Sequence, residues 1–397
     1  MPIFHMCDRI MQEIDKGNFT IGIFLDLSKA FDTVDHDILL KKMKHYGIRG
    51  LALDWFDNYL SNRMQYVMVD GVKSHFSHVS YGVPQGSVLG PLLFLLYIND
   101  LVNCSSILNF ILFADDTSIT LSHQNITSLI DTMNKELHNV VIWLQCNKLS
   151  LNLEKTKCVL FKTHAKKIGI DIPPIIMDGR IISQVSNINF LGIKINESLS
   201  WKPHIDDLCT RLSRTTGVLR RLNFILPRHV LISLYNTLVL PHLTYCCMLW
   251  GNGFKTHLHK LFLTQKRAIR SVCNAHFNSH TNRLFLDCKI LKICDLVLLY
   301  TYIFMYNYHS NSLPNIFNNL FSTNASYHSY FTRHSADLHH YFPKTKITQN
   351  SLRCRGIKLW NELNNDIKQS KSVNRFKKLL KSEMFCQYEN LAKLTNE

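Results

Sequence analysis

The sequence lacks the features that mark several common classes of protein. Its 12 cysteines include no Cys-x-x-Cys pair, and the adjacent Cys246 and Cys247 suit neither a zinc site nor an ordinary disulfide. The longest apolar stretches, residues 87–98 and 296–306, are shorter than the ~20 residues that a membrane-spanning helix needs. No charged segment followed by an apolar one opens the chain, as a secretory signal would. We therefore expect a reduced, intracellular protein without a membrane partner, in the nucleus or the cytoplasm.

Acidic side chains are scarce in the second half of the chain. Residues 1–200 carry 18 basic and 19 acidic side chains, whereas residues 201–397 carry 27 and 10. The formal excess of +16 thus lies after residue 200, and such an excess attracts polyanions, nucleic acids above all. A generically basic protein is the alternative. Four arginines recur among leucines at helical spacing and would form either a solvated helix face or a surface for a nucleic-acid backbone: Arg211, Arg214, Arg220 and Arg221.

Aspartates interrupt two apolar, β-forming segments in the first half. Asp26 lies within residues 21–27, and the pair Asp115-Asp116 follows residues 107–112 at the tip of a predicted hairpin. A carboxylate buried in an apolar strand is costly unless it is paired or binds a metal, so two such strands predict a shared cation. Two Mg²⁺ ions, or Mn²⁺ in their place, would suit phosphoryl transfer. The alternative is that these aspartates are turn residues or helix caps.

Hydrophobic periodicity predicts an α+β fold for residues 1–200, with antiparallel strands around the aspartate hairpin. Asp-Gly pairs at residues 70–71 and 178–179 predict two further hairpin turns, and a single strand is predicted over residues 188–195. The predicted helices are residues 4–17, 37–45, 51–60, 88–101 and 125–146, and the other predicted strands are residues 21–27, 65–69, 72–79 and 158–161.

The pattern after residue 201 is helical and basic. Residues 309–350, rich in Asn, Ser, His and Tyr, are predicted to form a loop or linker. Residues 351–383 are predicted to form a short basic amphipathic segment. We therefore expect three regions, residues 1–200, 201–300 and 301–397.

Five short motifs follow one another in the first 200 residues. They are Phe-Leu-Asp-Leu-Ser-Lys-Ala-Phe-Asp-Thr-Val at residues 24–34, Gly-Val-Pro-Gln-Gly-Ser with Leu-Gly-Pro at residues 82–91, Phe-Ala-Asp-Asp at residues 113–116, Asn-Leu-Glu-Lys-Thr-Lys at residues 152–157 and Phe-Leu-Gly at residues 190–192. In sequence and in order they resemble the motifs of reverse transcriptases from non-LTR (LINE-type) retrotransposons, especially the jockey-like group. The resemblance covers residues 5–300, and more loosely residues 359–361 and 376–378.

The resemblance implies a right-hand polymerase architecture. Residues 1–200 would form the palm, an antiparallel sheet with helices, together with part of the fingers. Residues 201–300 would form a helical, basic thumb, and residues 301–397 a C-terminal region. The chain starts 25 residues before Asp26, so it would be an N-terminally truncated copy that lacks most of the fingers and the upstream endonuclease domain. A partner could then supply those missing parts.

The resemblance also implies roles for individual residues. Asp26 and Asp115 would ligate two Mg²⁺ ions, with the Leu27 carbonyl as a further ligand and Asp116 as a supporting carboxylate. Either of two lysines, Lys155 or Lys157, would protonate the pyrophosphate. Phe31 would occupy the position of a ribose 2′-hydroxyl and so favour dNTPs. The remaining expected residues are Gln85 and Gly86 beside the nucleotide and Phe190, Leu191 and Gly192 at the primer.

These expectations describe an RNA-directed DNA polymerase that uses an RNA template, a DNA primer and dNTPs. The alternative is a catalytically weak or inactive copy that binds RNA or an RNA–DNA hybrid. A group II intron maturase or a viral RNA polymerase is a third possibility, and Phe31 argues against an RNA polymerase. The sequence leaves open which RNA is copied, the oligomeric state and the role of residues 250–397.

Overall fold

The computed structural model describes residues 1–166, 172–327 and 334–394, with side chains up to residue 390. Its contacts divide the chain into two compact units, Met1–Ser198 and Leu199–Glu397. Buried apolar side chains form a core in each unit.

The described part of the first unit contains both helices and short strands, as the periodicity predicts. Its helices are α1 (Pro2–Asp15), α2 (His36–His45), α3 (Leu51–Leu60), α4 (Leu89–Ile98) and α5 (Ile126–Cys146). Its strands are β1 (Phe19–Leu25), β2 (Met64–Gln65), β3 (Met68–Val69), β4 (Val72–Lys73), β5 (Ser77–His78), β6 (Asn109–Phe113), β7 (Asp116–His123), β8 (Lys157–Phe161), β9 (Ile176–Met177), β10 (Arg180–Ile181), β11 (Ser183–Gln184), β12 (Asn187–Phe190) and β13 (Ile193–Asn196).

A five-stranded sheet with the order β11-β8-β1-β7-β6 forms the centre of this unit. Strand β1 runs antiparallel to both of its neighbours, β7 and β8. The edge pair of β11 and β8 is parallel, so the sheet is mixed rather than wholly antiparallel as predicted. All seven residues of β1 are buried, which means that both faces of this strand are covered. Helices α1 and α5 contact it, and the buried residues of α5 recur at helical spacing.

The strand predicted over residues 188–195 is wrong, because the structure has a hairpin there. Strands β12 and β13 pair in an antiparallel ladder that closes with Phe190 opposite Ile193. Leu191 and Gly192 form the two-residue turn, with φ angles of 47° and 77°. Positive φ at both central residues is the pattern of a type I′ turn, which matches the twist of the flanking strands.

The turn predicted at Asp70-Gly71 is confirmed, with φ angles of 50° and 81°, but its strands are interrupted. They form two short ladders, β2 with β5 and β3 with β4. All residues of these four strands are exposed. The apolar alternation in residues 65–79 therefore does not mark a buried face. For this reason the segment forms short ladders instead of the two continuous strands predicted.

The described part of the second unit is helical. Its helices are α6 (Lys202–Leu222), α7 (Arg228–Leu238), α8 (Leu240–Thr244), α9 (Cys247–Trp250), α10 (Lys255–Val272), α11 (Asn282–Asp287), α12 (Ile293–His309), α13 (Lys346–Gln349), α14 (Leu352–Glu362), α15 (Asn365–Lys368) and α16 (Val373–Leu394). Helices α6 and α10 pack against each other. None of the helices in the described ranges is long and apolar enough to cross a membrane.

A buried glutamine fixes three segments of this helical unit. The Gln265 amide donates hydrogen bonds to the Tyr235 hydroxyl at 3.0 Å and to the Leu291 carbonyl at 2.9 Å. Its Oε1 accepts the backbone N–H of Ile293 at 2.8 Å. Both the NH₂ group and the oxygen of this buried side-chain amide have partners. Gln265 therefore joins α7, α10 and the start of α12 without leaving a polar group unsatisfied.

The C-terminal part is more helical than predicted. Residues 310–345 contain only short 3₁₀ turns among the residues described, as expected for a linker, and residues 328–333 of the predicted linker lie outside the described ranges. In place of one short segment, residues 351–383 form α14, α15 and the first half of α16. Trp360 is buried with Phe376, their ring centroids 6.3 Å apart.

Candidate active site

Asp26 lies immediately after β1, at the end of the central strand. Its backbone N–H donates to the Thr156 hydroxyl at 3.3 Å, and its carbonyl accepts the N–H of Asn152 at 2.8 Å. An antiparallel bridge between Leu27 and Leu151 continues this contact. The motif at residues 152–157 is therefore held directly beside the motif that contains Asp26.

Asp115 and Asp116 lie at the tip of the β6–β7 hairpin, as predicted. Phe113 pairs with Asp116, so Ala114 and Asp115 form a two-residue turn, with Ala114 at a φ of 53°. In the neighbouring ladder Leu25 pairs with Thr117. The next residues along these antiparallel strands are Asp26 and Asp116, and the register therefore sets them across from each other.

The three carboxylates interact electrostatically. Burial and the negative charges of Asp115 and Asp26 raise the pKa of Asp116 above its ordinary value. The strand register and the hairpin turn place the three aspartates on one surface, where their like charges oppose ionisation. A bound cation would relieve the repulsion, and carboxylate oxygens are the ligands that Mg²⁺ prefers.

The premise that both aspartate strands bury their carboxylates is wrong. Asp26 is only half-buried, and Asp115 and Asp116 are exposed. The strands place these residues just where the sheet ends, so solvent reaches them. Across the residues described, no group of three or more His, Cys, Asp or Glu side chains is arranged to hold a metal ion. The structure thus brings the expected ligands together as a charged surface, without a closed coordination cage.

Two further motifs are joined by backbone hydrogen bonds. Val83 N–H donates to the Phe31 carbonyl at 2.8 Å, and Gly82 N–H donates to the Val34 carbonyl at 2.7 Å. Gly82 has a φ of +88°, and a Cβ added there would lie 2.8 Å from the Asp32 carbonyl oxygen. Only glycine permits such an approach of two backbones.

This contact positions the residues expected at the nucleotide. The Gln85 amide donates to the Asp32 carboxylate at 2.7 Å, a partner that the sequence reasoning missed because 53 residues separate the two. Phe31 is half-buried, with its ring centroid 4.6 Å from that of Phe94. Gln85 and Gly86 are exposed. Phe94 therefore holds the Phe31 ring from one side, whereas the exposed Gln85 side chain is held by its bond to Asp32.

The remaining predicted residues of the first unit lie around β1. Lys157 is the first residue of β8 and pairs with Phe24, two residues before Asp26, whereas Lys155 is exposed in the preceding turn. The turn of Leu191 and Gly192 belongs to a hairpin whose Phe190 ring packs edge-on against Phe24, with centroids 5.1 Å apart. Both β8, which begins at Lys157, and the hairpin of Phe190 therefore pack beside the strand that leads to Asp26.

The four predicted arginines of α6 are all exposed. Arg211 forms an ion pair with Asp207 at 2.9 Å on the same helix, which partly neutralises it. Arg220 lies instead at a cavity of about 830 Å³ between the ends of α6 and α10. Arg267 and Arg270 line the same cavity, and Arg270 also donates to the Ser279 carbonyl at 3.0 Å.

The same cavity carries two aromatic residues that the sequence reasoning did not select. Phe224 is 81% exposed and Phe277 is 73% exposed, and both line the cavity. Their exposure depends on where α6 and α10 end, and no local sequence signal reports it. Arginines beside exposed rings form the kind of surface on which single-stranded nucleic acids stack.

Comparison with known proteins identifies the first unit. Residues 3–195 match the family of reverse transcriptases, described as RNA-dependent DNA polymerase. The RNA-directed DNA polymerase from mobile element jockey of Drosophila melanogaster is 28% identical over 317 residues, 76% of this chain and 34% of that protein. The probable RNA-directed DNA polymerase from transposon X-element of the same species is 25% identical over 305 residues, 74% of this chain and 32% of that protein. The resemblance inferred from the five motifs is confirmed.

The curated relatives are much longer than this chain, which spans about a third of the length of those that it matches. Among solved structures, telomerase from Candida albicans in complex with a fragment of telomeric RNA covers 80% of this chain and 52% of its own, at 11% identity and a TM-score of 0.35. A likeness at that score supports no conclusion about the fold.

Proposed function

Because residues 3–195 form a reverse transcriptase domain related to those of jockey-like non-LTR retrotransposons, we propose that this chain is an RNA-directed DNA polymerase. It would extend the 3′-hydroxyl of a DNA primer with dNTPs on an RNA template. The observation that carries the proposal is the strand register, which sets Asp26 across from Asp116 and next to the hairpin turn that holds Asp115. In the right-hand description, the first unit would be the palm with part of the fingers, and the start of the second unit the thumb.

The carboxylates would hold the divalent cations. Asp26 and Asp115 are the proposed ligands, with the Leu27 carbonyl beside them and Asp116 as the supporting carboxylate. This donor set consists of oxygen atoms with a net negative charge, which fits Mg²⁺ or Mn²⁺. Two bound ions would activate the primer 3′-oxygen and neutralise the charge that develops on the pyrophosphate. The protein's own contribution is to bring three like charges together, Asp26 across from Asp116 through strand register and Asp115 in the adjoining turn.

The residues around Phe31 would select the nucleotide. The Phe31 ring, held against Phe94 at 4.6 Å, would occupy the space that a ribose 2′-hydroxyl needs. Gln85, oriented by its hydrogen bond to Asp32, would face the incoming base pair. Lys155 or Lys157 would donate a proton to the departing pyrophosphate. Both lysines flank Thr156, whose hydroxyl accepts the Asp26 N–H, and either could fill this role.

Two other surfaces would hold the nucleic acid. The hairpin with Phe190, Leu191 and Gly192 would position the primer end, since its ring packs on the strand that leads to Asp26. The basic residues around the cavity of the helical unit would contact phosphates, and the exposed rings would stack on bases. The proposed contact residues are Arg211, Arg214, Arg220, Arg221, Arg267, Arg270, Phe224 and Phe277.

Primer extension tests the proposal. The assay combines the purified chain, an RNA template annealed to a DNA primer, dNTPs and Mg²⁺. Asp115→Asn removes one proposed ligand, and Asp178→Asn is a matched control because Asp178 is also an exposed aspartate in a two-residue hairpin turn. We expect extension by the natural chain and the control, and a loss of at least about 100-fold in Asp115→Asn, in the range seen when a group that stabilises the transition state is removed.

Three other outcomes would contradict the proposal or part of it. If the natural chain binds the hybrid in a salt-sensitive way but extends no primer, it is a binding copy without polymerase activity. If Asp115→Asn extends the primer as well as Asp178→Asn does, the proposed carboxylate site is wrong. Incorporation of ribonucleotides in preference to dNTPs would point to an RNA polymerase instead.

A further inference from the structure

Two cysteines meet in the helical unit, far from the aspartates in sequence. Cys273 follows the last residue of α10, and Cys288 follows the last residue of α11. Their Sγ atoms are 3.3 Å apart, although 15 residues separate them in the chain. Both thiols are free in this structure. Helix packing alone therefore places the two sulfurs within hydrogen-bond distance.

An arginine lies beside both sulfurs. Arg228, the first residue of α7, has Nη2 3.6 Å from the Cys273 Sγ and 3.5 Å from the Cys288 Sγ. Hydrogen bonding with Cys273 and the guanidinium of Arg228 outweigh burial and lower the pKa of Cys288. The pKa of Cys273 rises correspondingly, chiefly because of its hydrogen bond with Cys288. The two sulfurs therefore titrate as a coupled pair, in which the guanidinium beside them stabilises the thiolate.

The charge on Arg228 also decides between two uses of such a pair. A guanidinium that contacts both sulfurs repels a metal cation, so a thiolate metal site is disfavoured. It stabilises a nucleophilic thiolate next to a second thiol, which is the arrangement that allows a disulfide to form. Cys288 is 6% exposed and Cys273 is half-buried, which favours a small oxidant over a bulky one.

We propose that Cys273 and Cys288 are a peroxide-sensitive oxidation site that closes to an intramolecular disulfide. The Cys288 thiolate attacks one oxygen of hydrogen peroxide, the O–O bond breaks, and hydroxide leaves as a sulfenic acid forms. The Cys273 sulfur then attacks the Cys288 sulfur, its proton and the sulfenic hydroxyl leave as water, and the S–S bond forms. Two thiols and one hydrogen peroxide thus give one disulfide and two waters.

The disulfide would join the ends of α10 and α11 and close the segment between them. That segment includes Asn274, His276 and Phe277, which line the cavity described above. Oxidation would therefore restrain one wall of this cavity and, because cross-links restrict the unfolded chain, raise the melting temperature of the helical unit. A thiol reductant would reverse both effects.

Peptide mapping after peroxide treatment tests the proposal on the full chain. Native protein is treated with hydrogen peroxide, the remaining thiols are blocked with N-ethylmaleimide, and the protein is digested with trypsin without reductant. Cleavage after Arg270, Arg283 and Lys289 leaves Cys273 and Cys288 on the separate peptides 271–283 and 284–289. We expect these two peptides to appear linked, and to separate when dithiothreitol is added before the blocking step.

Variants show whether Arg228 activates the pair. Arg228→Gln should slow formation of the linked peptide several-fold at pH 7. It should also raise the pH that Cys288 needs in order to react with iodoacetamide. Cys273→Ser should stop the linkage and leave oxidised Cys288 without a partner. The proposal is overturned if peptides 271–283 and 284–289 stay separately blocked while the exposed Cys146 or Cys386 oxidises first, or if Cys288 reacts at the same pH in Arg228→Gln as in the natural chain.

Discussion

Gly82 offers the sharpest test of how the proposed nucleotide site is assembled. A Cβ at this position would lie 2.8 Å from the Asp32 carbonyl oxygen and 2.9 Å from the Asp32 Cα, and both atoms belong to rigid backbone. Gly82→Ala must therefore separate the two segments that the Gly82–Val34 and Val83–Phe31 hydrogen bonds join. Gly71→Ala is a matched control, because Gly71 has a similar φ of +81° with no atom within 4 Å of the added Cβ.

The expected magnitudes separate the two variants. Placing alanine at positive φ costs about 1–2 kcal/mol in either variant. Loss of two backbone hydrogen bonds adds about 1–3 kcal/mol in Gly82→Ala alone. For a unit of this size each kcal/mol lowers the melting temperature by about 2–4 °C, so Gly82→Ala should melt at least about 2 °C below Gly71→Ala.

Thermal denaturation followed by circular dichroism measures this difference. Hydrogen–deuterium exchange should show that the amides of Gly82 and Val83 lose protection in Gly82→Ala only. Primer extension should fall in that variant as well, since Gln85 loses its position. Equal melting temperatures in the two alanine variants would refute the close backbone approach on which the site rests.

Three other predictions use the same structure. Asp116→Asn should raise the melting temperature at pH 7 and leave it unchanged below the ordinary pKa of an aspartate. The pKa of Asp116 is raised in the folded chain, so its ionisation opposes folding above that ordinary value. A lower melting temperature at pH 7 would contradict this. Phe31→Val should reduce discrimination against ribonucleotides by about 10- to 200-fold in single-nucleotide incorporation, the range for one pocket contact, and unchanged discrimination would remove Phe31 from the nucleotide site. Asp35→Ala should destabilise the chain by about 1 kcal/mol at pH 7, since Asp35 caps α2 through the Ile38 N–H. Burial raises the pKa of Asp35, but the hydrogen bonds that it accepts from Lys148 and Ile38 lower that pKa overall. The loss of stability should therefore vanish as the pH falls through the lowered pKa, which an acid titration of stability would show.

Elements with strong local signals were predictable from the sequence. The bounds predicted for the helix at residues 51–60 agree with α3, and the helix at residues 125–146 agrees with α5 to within one residue. The turn at Asp178-Gly179 is also confirmed, with both residues at positive φ. In each case periodicity or a turn dipeptide reports the local backbone directly.

Features that depend on tertiary structure were not predictable in this way. The turn at Leu191-Gly192 was missed because a leucine at φ 47° is rare and carries no turn signal. The exposure of Asp115 and Asp116 was misjudged because apolar neighbours on a strand do not show where the sheet ends. The bond from Gln85 to Asp32 and the contact of Cys273 with Cys288 join residues distant in sequence, and neither lies in a spacing pattern.

The motifs and the physical patterning point to the same aspartates for different reasons, and their catalytic role stays a prediction. Asp26, Asp115 and Asp116 were selected partly for a desolvation cost that the structure does not show, yet register and charge do place them together. The proposed roles of the lysines, of the Phe190 hairpin and of the arginines stay predictions, since they depend on ligands that bind to these surfaces.

Cation binding tests most directly whether the three aspartates form one site. The chain is mixed with an RNA–DNA hybrid whose primer ends in a dideoxynucleotide, together with the matching dNTP, and free Mn²⁺ is measured by electron paramagnetic resonance. The account predicts that the natural chain and Asp178→Asn bind more Mn²⁺ than Asp26→Asn or Asp115→Asn under the same conditions. Equal Mn²⁺ binding by all four proteins would contradict it.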